Sequence, residues 1–199
     1  HAYQDPGTFP IHLLITSDHG CQDSTDGLIN ILPKPVIDFA TESVCQGFPV
    51  NFTDNSDPAI GNLTYYSWNF GDGSSTNIQN PVHTYGAPGW YSVSLTATND
   101  SGCTTTLLRP NALQIYAAPD AQFVTNANEA TDFLPLVNFV NQTTSPGLFY
   151  WSFGDGDSSS QYSPTHIYDD IGKYEVNLIT IDLNGCIDSI TQYVEIRPS

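Results

Sequence analysis

Apolar and polar residues alternate with a period of two along much of this chain, and a helical period is nearly absent. In WYSVSLTATN (90–99), Tyr91, Val93, Leu95 and Ala97 fall on one face, while Trp90, Ser92, Ser94, Thr96 and Thr98 fall on the other. That is the signature of a half-buried strand. Tyr174, Val176 and Leu178 repeat the inward pattern, as do Phe9, Ile11 and Leu13 near the N-terminus. Further strand-like runs cover 36–40, 50–53, 65–70, 107–116, 137–140, 148–153 and 187–196, with Gly, Pro, Asn, Asp and Ser between them. Such residues mark turns. About seven short strands in roughly 80 residues, each with one apolar face, predict an all-β fold of two-sheet, immunoglobulin-like sandwiches. Trp68 and Trp151, at the ends of central strands, would plug their cores.

The pattern repeats. SWNFGDGSSTNIQNPVHTY (67–85) and YWSFGDGDSSSQYSPTHIY (150–168) share W-x-F-G-D-G-x-S, a Pro and H-x-Y, and Trp68 to Trp151, Asp72 to Asp155 and His83 to His166 are each 83 residues apart. A third, partial copy opens the chain: residues 1–21 align without gaps to 83–103 and 166–186, each running from a His to the Cys of a Gly-Cys pair. A period above 80 residues exceeds that of solenoid units and suits small independent domains. The predicted organisation is a C-terminal half-domain at 1–32, either truncated or completed by another chain, followed by domains at 33–118 and 119–199. The joints at 31–39 and 115–123 contain proline and no Gly/Ser run, which predicts short, stiff connections.

The repeated motif invites a catalytic reading, with Asp72 and Asp155 as a proton-sharing pair. Equivalent positions on separate domains argue against it. Asp-Gly is favoured in tight hairpins because the central residues must tolerate positive φ. Phe70, Gly71, Asp72 and Gly73, like Phe153, Gly154, Asp155 and Gly156, are therefore read as hairpins, with His83 and Tyr85, or His166 and Tyr168, anchoring them. No catalytic residue is expected.

Composition narrows the partners. Four Lys and Arg residues stand against 21 acidic ones, a net charge of −17. Such a field repels phosphate backbones and anionic lipid surfaces, so nucleic-acid binding is not expected. Membrane insertion is not expected either, because no run approaches the roughly 18 apolar residues of a membrane span. The four cysteines place Cys21, Cys103 and Cys186 in the Gly-Cys slot and Cys45 alone in the first half of a repeat. Cys45 and Cys103 are the natural pair within 33–118, closing a loop that the chain-entropy account values at roughly 4 kcal/mol. The alignment sets Asp132 opposite Cys45, which leaves Cys21 and Cys186 as free or intermolecular thiols. A disulfide implies an oxidising, extracellular setting.

Taken together, W-x-F-G-D-G-x-S, the Pro before H-x-Y, G-x-Y-x-V-x-L and the late Gly-Cys resemble the polycystic kidney disease (PKD) domain, in the form common in large secreted adhesins and gliding-associated proteins of the Bacteroidota. The resemblance covers essentially the whole chain. It implies extracellular sandwich modules of cell-surface stalks and adhesins, or accessory modules of secreted hydrolases, with no catalytic activity. No cofactor is required. Calcium is a candidate ligand, because hard cations seek several oxygens at turns; Asp54 and Asp57, and Asp155 and Asp157, are the clusters that could supply them. Trp90, outward on its strand, is a candidate contact or glycan-binding surface. The expected function is a stiff stalk or filament of PKD repeats, associating with itself, with neighbouring repeats or with a glycan or protein receptor.

Overall fold

The structure is a computed structural model that describes residues 1–127 and 130–199. Its described residues form strands, turns and loops without an α-helix, and among them no helix is long and apolar enough to cross a membrane. The N-terminal segment forms a hairpin of β1 (Gly7–Thr16) and β2 (Gln22–Ile31), paired without a break from Gly7↔Ile31 to Thr16↔Gln22. The first full repeat contributes β3 (Phe39–Ala40), β4 (Val44–Cys45), β5 (Pro49–Asn51), β6 (Thr53–Asp54), β7 (Leu63–Asn69), β8 (Ser75–Thr76), β9 (Val82–Thr84), β10 (Gly89–Asn99) and β11 (Thr104–Tyr116). The second contributes β12 (Phe123–Thr125), β13 (Leu136–Asn141), β14 (Gly147–Ser152), β15 (Ser158–Ser159), β16 (Thr165–Ile167), β17 (Gly172–Asp182) and β18 (Ile187–Ile196).

In the second repeat a β15-β14-β17-β18 sheet is accompanied by a β12-β13-β16 sheet. The first repeat has the matching order β8-β7-β10-β11, accompanied by the short pairs β3-β6 and β5-β9. The period-two pattern becomes burial directly: Val93, Leu95 and Ala97 on β10, and Val176 and Leu178 on β17, are completely buried. Each tryptophan sits at the centre of its core. Trp68 meets Phe39 at 5.2 Å and Phe52 at 5.5 Å, and Trp151 meets Phe123 at 5.0 Å and Phe139 at 5.5 Å, with matching ring tilts. Two sequences have thus built one aromatic cluster twice. Edge-to-face rings of this kind add to the stabilisation from burial.

The hairpin β1-β2 has the same alternation without the burial. Ile11 and Leu13 align with Val93 and Leu95, yet they are 47% and 55% exposed. Their apolar face is uncovered.

By contacts the chain divides into two compact units. One comprises His1–Glu42, Pro49–His83 and Trp90–Gln114; the other comprises Ser43–Phe48, Thr84–Gly89 and Ile115–Ser199. The segment carrying Cys45 therefore groups with the second repeat, and this overturns the expected disulfide. Cys45 is bonded to Cys186, not to Cys103, and Cys21 and Cys103 are free thiols. Strand geometry supplies the reason. β4 pairs in parallel with the far end of β11, Val44 on Ile115 and Cys45 on Tyr116, whereas Cys103 precedes the first residue of β11. The thirteen residues of β11, at ~3.3 Å each, hold the two about 40 Å apart, and a disulfide needs Cα atoms within roughly 7 Å. Cys186, expected to be free or intermolecular, lies instead with its Cα 5.6 Å from that of Cys45. The position equivalent to Cys45 in the second repeat is Thr131, which forms the matching parallel bridge to Arg197, rather than the neighbouring Asp132.

Candidate functional site

The Gly-Asp-Gly loops are hairpins. β7 pairs with β8 as Trp68↔Thr76 and Asn69↔Ser75, and β14 pairs with β15 as Trp151↔Ser159 and Ser152↔Ser158. The Phe70 and Phe153 amides close the turns by donating to the carbonyls of Ser74 and Asp157. The first glycine of each motif is there for space as well as for φ. Gly71 and Gly154 have φ of 84° and 87°, and a Cβ on them would lie 2.4 Å from the Ser92 carbonyl oxygen and 2.6 Å from that of Glu175. The turn presses directly on the neighbouring long strand. Gly73 and Gly156 have positive φ but open space around them.

Each turn is latched by an aspartate and a histidine eleven residues downstream. Asp72 Oδ2 lies 2.7 Å from His83 Nε2, and its Oδ1 accepts the Ser74 amide at 3.0 Å as well as the Ser74 hydroxyl. Asp155 Oδ2 lies 2.5 Å from His166 Nε2, and its Oδ1 accepts the Asp157 amide at 3.0 Å. His83 stacks flat on Phe70 at 4.3 Å and His166 on Phe153 at 4.2 Å. Tyr168 donates its hydroxyl to the Phe153 carbonyl, and both Tyr85 and Tyr168 are buried. The sequence places the aspartate within the turn and the histidine beside it as an anchor, without joining the two. The constant spacing of Asp72–His83 and Asp155–His166 was the signal that they act together.

The electrostatics follow from this geometry. Burial alone would raise the Asp72 carboxyl, but hydrogen bonds from the Ser74 hydroxyl and amide and from His83, with the His83 charge, outweigh it and lower the pKa to about 2. Asp155 shifts the same way: burial opposes, and the His166 hydrogen bond, the Asp157 amide and the His166 charge prevail. A proton-sharing acid dyad needs one carboxyl raised, so these groups are tuned in the opposite sense.

The cation candidates separate. Asp54 accepts the Ser56 amide and, from 25 residues along the chain, the Gln79 side chain, and Asp57 accepts the Ala59 amide, so each carboxylate is held by its own hydrogen bonds. Asp155, Asp157 and His166 do come together, with ligand atoms within 4.8 Å of one another. One of the three is an imidazole whose Nε2 already meets Asp155. Calcium favours six to eight oxygens, and this set fits a hydrogen-bonded latch better. Trp90 stands on the outer face of β10, 59% exposed.

Two aromatic-cored sandwiches of the same strand order, each with a latched Gly-Asp-Gly hairpin, define a tandem β-sandwich repeat protein. The sequence model of the PKD domain matches residues 32–111 and 116–197, and the chain belongs to that family. The pre-pro-metalloprotease PrtV of Vibrio cholerae serotype O1 is 27% identical over 164 residues, covering 76% of this chain and 16% of PrtV. Collagenase ColA of Clostridium perfringens is 27% identical over 175 residues, covering 86% of this chain and 15% of the enzyme. The chain thus spans about a sixth of the length of these curated relatives. The PKD1 domain of Vibrio anguillarum Epp is 33% identical, with a TM-score of 0.39 over 43% of this chain and 96% of that domain. The PKD1 domain of Vibrio cholerae PrtV is 30% identical, with a TM-score of 0.37 over 42% of this chain and 98% of that domain.

Proposed function

We propose that these repeats are non-catalytic, extracellular spacer modules of a larger protein, joined in series as a stalk or filament segment. The carrying observation is the Cys45–Cys186 bond, which ties the edge strand of one repeat to the first residue before the last strand of the next. A covalent tie between successive modules suits a part that must hold its reach, and it belongs to an oxidising compartment. The net charge of −17 keeps such repeats soluble and apart. Negative-stain microscopy of the protein from its native source, with the intact mass of the dissociated chain, tests the proposal. Long regular fibres or rods from a chain well above 21.7 kDa are expected. Compact particles carrying a hydrolase domain would reject it.

A second reading is favoured by the relatives themselves, which are a pre-pro-metalloprotease and collagenases by name. On this reading the modules help a hydrolase meet its substrate, and Trp90 is the exposed aromatic platform. Retention of the chain on insoluble collagen or polysaccharide, lost in Trp90→Ala, would support it; passage of both proteins through such a column would count against it.

A further inference from the structure

The three Gly-Cys turns are built alike. The Asp182 amide donates to the Cys186 carbonyl at 2.9 Å and the Cys186 amide to Asp182 Oδ1 at 2.8 Å; at the second turn the Asn99 amide donates to the Cys103 carbonyl at 3.0 Å and the Cys103 amide to Asn99 Oδ1 at 3.0 Å. Ser17 and Cys21 repeat the arrangement, with the amide of Ser17 on the carbonyl of Cys21 and the amide of Cys21 on the Ser17 hydroxyl. The glycines Gly20, Gly102 and Gly185 have φ of 80°, 80° and 81°. Each turn therefore places its cysteine at the same point, just before a long strand. One of the three is bonded, and its partner is the edge-strand cysteine of the repeat before it.

We propose that Cys103 and Cys21 are the same half of the same junction, each a disulfide site for a cysteine on the β4-like edge strand of a preceding PKD repeat. The partner is defined by the internal precedent. It is a thiol placed as Cys45 is, 38 residues before an H-x-Y histidine, on a strand paired in parallel with the end of that repeat's last strand. Successive repeats are then stapled in one direction: the Gly-Cys cysteine of each repeat reaches back to the edge cysteine of the one before. The second full repeat carries Thr131 at the edge position, so a repeat placed after it receives no such staple. Forming each bond takes two protons and two electrons from a pair of thiols. A disulfide oxidant, such as oxidised glutathione, accepts them by exchange and leaves as two thiols. The proposal holds whether the modules serve a stalk or a hydrolase, so its failure would leave either reading standing.

The test retains the whole chain and inserts a second copy of residues 33–118 after residue 118, followed by oxidation in a glutathione couple and peptide mapping without reduction. The unmodified chain has one disulfide and two free thiols. The extended chain should keep two free thiols and gain a second disulfide, from Cys45 of the first copy to Cys103 of the second. Four free thiols, or a Cys45–Cys103 bond inside one copy, would overturn the proposal. Should the extended chain fail to fold, alkylation before reduction of the protein from its native source still decides: Cys103 unlabelled and linked to an edge-strand peptide of a different PKD repeat supports the junction, and Cys103 alkylated as a free thiol or linked to Cys45 of its own repeat refutes it.

Discussion

Cys45 and Cys186 are joined across 141 residues of sequence, the first on a two-residue edge strand and the second at a turn before a ten-residue strand. In the chain-entropy account a loop of this length stabilises by about 5 kcal/mol. Cys186→Ser should therefore lower the unfolding midpoint of the second repeat markedly, and reductant should do the same to the unmodified chain. Cys103→Ser should leave the midpoint in place. Calorimetry with and without dithiothreitol measures all three, and equal midpoints would remove the bond from the account.

Gly154 and Gly156 flank one aspartate and should answer differently to alanine. At Gly156 the cost is that of a left-handed backbone alone, about 1–2 kcal/mol. At Gly154 the same penalty is joined by a Cβ 2.6 Å from the Glu175 oxygen and 2.8 Å from its nitrogen, so β17 must shift and the loss should be clearly larger. Urea titration of the two variants compares them. A milder effect at Gly154 would show that the turn does not press on β17.

Acid should weaken the fold through the latches. Asp72 titrates near 2 in the folded chain against 3.8 ordinarily. A depressed folded pKa contributes stability that is full above the ordinary value and is lost as pH falls through the folded one. The window is about pH 4 down to 2, and Asp155 adds in the same direction. Asp72→Asn should be less stable at neutral pH and should show a shallower decline across that window in denaturant titrations. An unchanged slope would mean that the His83 pair contributes nothing.

Trp151 and Trp90 are the same residue type in opposite settings. Trp151 is buried, and its Nε1 donates to the Gln161 carbonyl at 2.9 Å; Trp151→Ala should cost about 3–5 kcal/mol. Trp90→Ala should stay within about 0.5 kcal/mol. Thermal melts separate the two, and a large loss at Trp90 would reveal a packing role.

Much of the fold was legible in the sequence because it is local. A period of two decides which face of β10 and β17 is buried. Positive-φ glycines decide where the chain reverses. An 83-residue repeat decides that one core is built twice. The Asp–His latch was half legible, since its spacing recurs but a hydrogen bond between hairpin and strand exists only when the sandwich closes. The disulfide was not legible. Cys45 and Cys103 share a repeat, and chain proximity alone pairs them; β11 keeps them at opposite ends of a thirteen-residue strand. Bond partners are set by distance in space, and only the parallel seat of β4 on the far end of β11 brings Cys45 to the turn of the following repeat.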